Sequence, residues 1–195
     1  LLSLGIQFDI PIHLIEKCIE CPDLQIEFGI FLDNLSSFQQ EQSIQNFIFI
    51  SIRKMVDMNY HESYQYLADS LYNLSNHPHF AIDLFLQNHL NEFIIILLKN
   101  KEFGCVMLIC MFLTNMVKIE VFDLFSEEVL KEIIKYSISF RHPKRCVSAI
   151  KLLNQLLDSS FSQSELFDIC AINKRFLTTF CKMKDSLPCQ IKKEI

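Results

Sequence analysis

Leu71-Tyr72-Asn73-Leu74 has three counterparts in the chain: Leu32-Asp33-Asn34-Leu35, Leu113-Thr114-Asn115-Met116 and Leu153-Asn154-Gln155-Leu156. Each is a leucine, any residue, a side-chain amide, and a leucine or methionine. The amides stand 39, 42 and 40 residues apart, inside the window of roughly 20–50 residues that marks arrays of stacked units. The match also extends beyond the tetrapeptide. Six residues before each amide stand Phe28, Leu67, Ile109 and Ala149; two before stand Leu32, Leu71, Leu113 and Leu153; one after stand Leu35, Leu74, Met116 and Leu156. These columns fall at i, i+4 and i+7, one stripe of an α-helix. The opposite stripe pairs Ile30 with Asn34, Asp69 with Asn73, Met111 with Asn115 and Lys151 with Gln155. Its mixed polarity predicts a partly solvated face.

Helix-start signals fall where this period needs them. Cys21-Pro22 and His142-Pro143 place proline in a first turn, where its missing N–H has no intrahelical acceptor. His77-Pro78 predicts a helix over 79–87, Ser126 with Glu127 and Glu128 caps another, and Ser162 to Glu165 forms a capping box. Helices over 79–87, 90–99 and 102–117 make three per unit, with corresponding middle helices at 12–20, 44–58, 127–139 and 174–183. No stretch alternates long enough to predict a strand. The expectation is one all-α array over 1–183, divided at about 1–37, 38–76, 77–118, 119–158 and a partial unit 159–183, with 184–195 a polar tail or the start of a further unit.

Composition limits the function classes. Half of the 195 residues are hydrophobic, enough for a sizeable core, and the net charge is -5, which argues against a general nucleic-acid or anionic-membrane surface. The most apolar run, 106–117, is too short for a bilayer core of about 30 Å, which needs about 20 apolar residues, so no membrane span is expected. Eight cysteines sit mostly in apolar helical patterns, which fits a reducing intracellular compartment, cytoplasm or nucleus, better than a disulfide framework. The opening residues show no targeting signal and read as a segment of something longer or a processed chain.

The stretch 84–100, LFLQNHLNEFIIILLKN, followed by the helix ending Leu113-Thr114-Asn115-Met116, resembles the armadillo repeat and its HEAT-like relatives. In that family a second helix ends in a Leu-Leu motif, matched by Leu97-Leu98-Lys99, and a third ends in Leu-Ser-Asn-Leu. His89 stands where the family usually has a glycine between the first two helices. The resemblance implies a right-handed superhelical solenoid of about four three-helix repeats. It also implies that Asn34, Asn73, Asn115 and Gln155 line a concave groove and hydrogen-bond an extended peptide. The other reading of the column is stabilisation of helix ends or neighbouring repeats. Importin-α-type receptors share the arrangement but carry a tryptophan four residues before the asparagine. Ile30, Asp69, Met111 and Lys151 hold those places here, which speaks against recognition of nuclear localisation signals.

Other constellations are weaker. Cys18-x-x-Cys21 with His13 has zinc-like spacing, but no second Cys pair of that spacing exists, so the thiols read as structural. His77 and His79, with Cys105 or Asp83, make a cluster on paper only and read as turn residues. The basic run Arg141, His142, Lys144 and Arg145 reads as a solvated helix entrance. No glycine-rich phosphate loop or Gly-x-Ser-x-Gly is present. The expectation is therefore a non-catalytic scaffold without metal or other cofactor. It would bind a protein or extended peptide through Asn34, Asn73, Asn115, Gln155, Tyr66, Asp69 and Lys151. The alternative is a structural segment of a larger regulatory or transport assembly, importin-like or a HEAT-type subunit, with Phe38, Phe47, Phe49, Phe161 and Phe167 as hydrophobic edges. A helical zinc protein or enzyme comes third.

Overall fold

The computed structural model describes residues 17–38, 41–77, 79–100, 103–137 and 143–160. Among the described residues every regular element is helical. They are α1 (Gln25–Ser36), α2 (Gln42–Asp57), α3 (Tyr64–Ser75), α4 (Ile82–Gln87), α5 (Leu90–Lys99), α6 (Phe103–Lys118), α7 (Glu127–Ser137) and α8 (Pro143–Asp158). Short 3-10 turns at Pro22–Leu24 and His61–Ser63 lead into α1 and α3. The first expected unit, 1–37, the partial unit 159–183, the tail at 184–195, and the helices expected over 12–20, near 174–183 and at the capping box of Ser162 fall wholly or partly outside the described residues.

The four helices that carry the amide tetrapeptide are α1, α3, α6 and α8, and each packs most extensively on the next in that order. A second row runs beside them, because α2 touches α5 and α5 touches α7, while α5 also packs on α6 and α7 on α8. The predicted stripe is what the rows bury. Leu32, Leu71, Leu113, Leu67, Ile109, Ala149, Leu74, Met116 and Leu156 are fully enclosed, Phe28 and Leu153 nearly so, and Leu35 half-buried. The apolar run 106–117 is thus the middle of a core helix. Among the described residues, no helix is long and apolar enough to cross a membrane.

Small residues set the closest approach. A Cβ on Gly29 of α1 would lie 3.1 Å from Ser63 Cβ and 3.2 Å from Tyr66 Cβ, and Ser63, Ala68 and Ser70 at this end of α3 are fully buried. Elsewhere the rows are filled by aromatics. Phe49 of α2 meets Phe80 and Phe85 edge-on at 5.9 and 6.1 Å, and Phe112 of α6 lies 5.5 Å from Phe85, geometries favoured by the ring quadrupole.

Several expectations change. The helix expected from 79 starts at Ile82, since Phe80 turns into the aromatic cluster and Ala81 is non-helical, its N–H donated to Oε1 of the buried Gln45 at 3.2 Å. Among the described residues, three helices in one unit occur only at 79–118. The helix expected over 44–58 is present at 42–57, whereas 121–126 form none. Phe49 is core and Phe47 half-buried, so neither is a hydrophobic edge; Phe38 is 55% exposed, and Phe161 and Phe167 lie outside the described residues.

With few glycines, the turns use other residues. Two of the three longest helices, α2 and α6, end in Schellman closures whose left-handed position is Asn59 (φ 56) or Glu120 (φ 58); Tyr60 N–H reaches Met55 O and Val121 N–H reaches Met116 O. His89, at φ 54, makes the left-handed step between α4 and α5.

Leu113 lies inside α6 with α3 on one side and α8 on the other. Leu113→Ala is expected to cost about 2–5 kcal/mol in urea unfolding monitored by circular dichroism; a loss under about 1 kcal/mol would place the stripe outside the core.

Candidate binding surface

The amide column does not behave as one set. Asn73 Nδ2 of α3 donates to Asp33 Oδ1 of α1 at 2.9 Å and lies 3.3 and 3.2 Å from Ser36 Oγ and Ser37 Oγ. Asn115 Nδ2 of α6 repeats the arrangement one helix on, at 3.0 Å from both Ser75 Oγ and Asn76 Oδ1 of α3, while its Oδ1 accepts from Lys118 Nζ at 3.1 Å. Asn34 is exposed and donates to Ile30 O of its own helix at 2.9 Å. Gln155 is half-buried on α8. Two of the four amides are therefore joints to the preceding aligned helix, with His77 Nε2 adding a contact of 3.1 Å to Ser36 O at the first joint.

The acceptors of these joints were missed at the level of sequence, although a signal existed. Ser36 and Ser75 both stand two residues after the amide, and Ser37 and Asn76 three after. Ser36 and Ser75 also back-bond to Asp33 O and Tyr72 O, at 2.7 and 2.6 Å, which fixes each hydroxyl at the end of its helix.

Asp33 and Asp69 face the same joint, both half-buried. Burial first, and then the charge of Asp69, push the Asp33 carboxyl from its ordinary 3.8 up to about 6, against the opposing effect of its bond from Asn73. Burial also raises Asp69. Tyr66 is half-buried one turn before Asp69, and Lys151 is exposed on α8. Tyr66 and Asp69 thus gather with Asn73 where α3 meets α1, whereas Lys151 and Gln155 sit apart on α8 and Asn115 lies between.

The remaining chemical candidates have ordinary surroundings. Cys18 and Cys21 are half-buried free thiols, His13 is outside the described residues, and no cluster of three metal-binding side chains occurs among the described residues. Cys105 is enclosed in α6, away from solvent, and His79 is exposed. Burial pushes the Cys110 thiol up to about 12 and the Cys146 thiol to about 11, so both are protonated at neutral pH. Of the basic run, no side chain falls among those described. An open depression of about 440 Å³ lies between the start of α3 and the end of α5, lined by His61, Glu62, Tyr64, Ile96, Lys99 and Asn100. Lys99 there is ion-paired with Glu128.

No protein-family model, curated protein or solved structure matches this chain.

Removing a joint differs from removing an exposed amide. Asn73→Ala is expected to lower unfolding stability by about 1 kcal/mol, the usual net worth of a hydrogen bond, and Asn34→Ala to leave it unchanged, both read by chemical denaturation. Asp33 titration gives a second expectation. Its folded pKa lies above the unfolded one, so the stabilisation from holding the proton is complete below about pH 3.8 and is lost as pH rises through about 6. Asp33→Asn should accordingly stabilise the chain at pH 7.5, by about 1 kcal/mol once solvent screening of a half-exposed group is allowed for. At pH 3.5 the gain should vanish, so parallel melts at the two pH values check both sign and window.

Proposed function

We propose that the chain is an armadillo- or HEAT-like helical-repeat scaffold, a superhelical solenoid that binds a protein or extended peptide along the surface of α1, α3, α6 and α8 and performs no catalysis itself. One observation carries the reading: four helices with the same residue columns pack side by side in chain order. Stacked units of this kind bury their apolar stripes mutually and leave a continuous face whose side chains are free to differ from unit to unit. On that face Tyr66, Asp69 and Lys151 supply an aromatic surface and charges of both signs, and Asn34, Asn73, Asn115 and Gln155 supply amides. Free cysteines among the described residues suit a reducing compartment, cytoplasm or nucleus.

The structural-segment reading keeps one specific support. Leu24, Phe31 and Phe38, at 40, 40 and 55% exposure, are apolar side chains open to solvent on α1 and just beyond its two ends, of the kind that marks an assembly contact.

A pull-down from cell extract tests the scaffold reading, comparing the wild-type chain with a triple variant carrying Tyr66→Ala, Asp69→Asn and Lys151→Ala. The expected result is loss of specifically retained proteins with helicity kept and the melting temperature not lowered. The same proteins retained by the folded variant would remove the face of α1, α3, α6 and α8 from consideration.

A further inference from the structure

Cys18 and Cys21 are too few to hold zinc by themselves, but two thiols are all that a disulfide needs. Residues 17–19 are helical, Glu20 turns, and Cys21 leads into the 3-10 turn Pro22–Leu24. The Cys21 N–H donates to Cys18 O at 3.3 Å. Such a turn brings its first and fourth Cα atoms within about 7 Å, and a disulfide spans roughly 4.4–6.8 Å between Cα atoms. The chain around the pair holds the turn in place. Ile19, between the two thiols, is buried in the core. Pro22 restricts the residue before it to extended backbone, and Cys21 has φ -96 and ψ 107. Among the described cysteines this pair is half-buried, whereas Cys105, Cys110 and Cys146 are enclosed. Tyr60, in the turn after α2, lies beside the pair: burial first, and then the charges of Cys21 and Glu20, raise its pKa. Its hydroxyl is buried and has no hydrogen-bond partner. That hydroxyl is a donor without an acceptor, and a thiolate formed at Cys21 would supply one.

We propose that Cys18 and Cys21 are a redox-reversible pair, closed to a disulfide by a small-molecule disulfide of the glutathione class. The Cys21 thiolate, formed by loss of its proton to solvent, attacks one sulfur of glutathione disulfide. A Cys21–glutathione S–S bond forms, the S–S bond of the oxidant breaks, and one glutathione leaves as thiolate. Cys18, deprotonated in turn, attacks the Cys21 sulfur, which forms the Cys18–Cys21 bond and expels the second glutathione. Two protein thiols are oxidised and one disulfide is reduced to two thiols. The two protons lost by the protein end on the two leaving thiolates. The second attack is intramolecular, at an effective concentration on the order of mM or above, so the mixed disulfide is short-lived. Closure joins residues that the turn already holds together, at the entrance to α1, and leaves the stack of helices unchanged.

Peptide mapping of the folded 195-residue chain tests this. The chain is exposed to glutathione disulfide, its remaining thiols are blocked with iodoacetamide, and trypsin then cuts after Lys17 and Arg53, which releases peptide 18–53 with Cys18 and Cys21 as its only cysteines. The expected peptide is unalkylated and lighter by two hydrogens, and dithiothreitol restores both thiols. It should form at least about tenfold faster than any modification of the enclosed Cys105, Cys110 or Cys146, since access and thiolate character set the rate. Cys18→Ser, with helicity unchanged, should stop at the mixed disulfide and accumulate glutathione on Cys21. Peptide 18–53 alkylated at both thiols after exposure to excess glutathione disulfide overturns the proposal. So does a wild-type chain that halts at the mixed disulfide, or one that pairs either cysteine with a different one.

Discussion

A helix with an apolar stripe at i, i+4 and i+7 cannot bury that stripe alone, and α1, α3, α6 and α8 all have one. Leu71 is enclosed only because α1 and α6 lie on either side of α3, and Leu113 because α3 and α8 flank α6. Burial of a leucine side chain contributes about 1.5–3 kcal/mol, so each helix is stable largely through its neighbours and not through its own propensity. The second row follows from the same need: α5 covers α6, and Phe49, Phe85 and Phe112 close the space where α2, α4 and α6 meet.

Apolar stripes fix that the helices stack but only loosely fix how far one slides along the next. The polar joints add that register. Asn73 finds its acceptors at Asp33, Ser36 and Ser37 only if the end of α3 aligns with the end of α1, and Asn115 requires the same of α6 and α3. Gly29 lets the first pair approach closely enough for the joint to form. The first joint is not optimised for stability alone: an ionised Asp33 beside Asp69 is a cost at neutral pH that a neutral acceptor would not carry.

The aligned helices were legible because their signal is additive: three apolar columns and an amide repeat four times, and a shift by one residue would turn the leucines to solvent. Helices α5 and α7 were legible for the same reason, strong 3.6-residue periodicity with acidic starts. The short elements were not. The 79–81 stretch carries a plausible proline start, yet tertiary contacts of Phe80 and the amide of Gln45, 36 residues away, decide its conformation. The continuous α2 matches the helix read over 44–58, but the further short helix per unit extrapolated from 79–118 has no counterpart at 121–126. The amide column was found by alignment, but its partners were not, since a hydrogen bond to Ser36 or Ser75 depends on the crossing of two helices and has no period of its own.

That geometry changes what the amides can offer a ligand. A peptide that took the Nδ2 hydrogens of Asn73 or Asn115 would have to replace bonds already made to Asp33, Ser75 and Asn76. Exchanging one hydrogen bond for another yields little free energy, and leaving Asp33 without its donor adds a penalty. Occupation of those amides and loosening of the stack would be coupled, so tight binding through the column would weaken the array that presents it. Affinity along this face would instead come from side chains that no joint occupies at their tips. Tyr66 and Met111 are half-buried with apolar surface still to cover, and Asn34 is committed only to its own helix. The column then acts mainly as the ruler that holds those side chains at one helix spacing from each other.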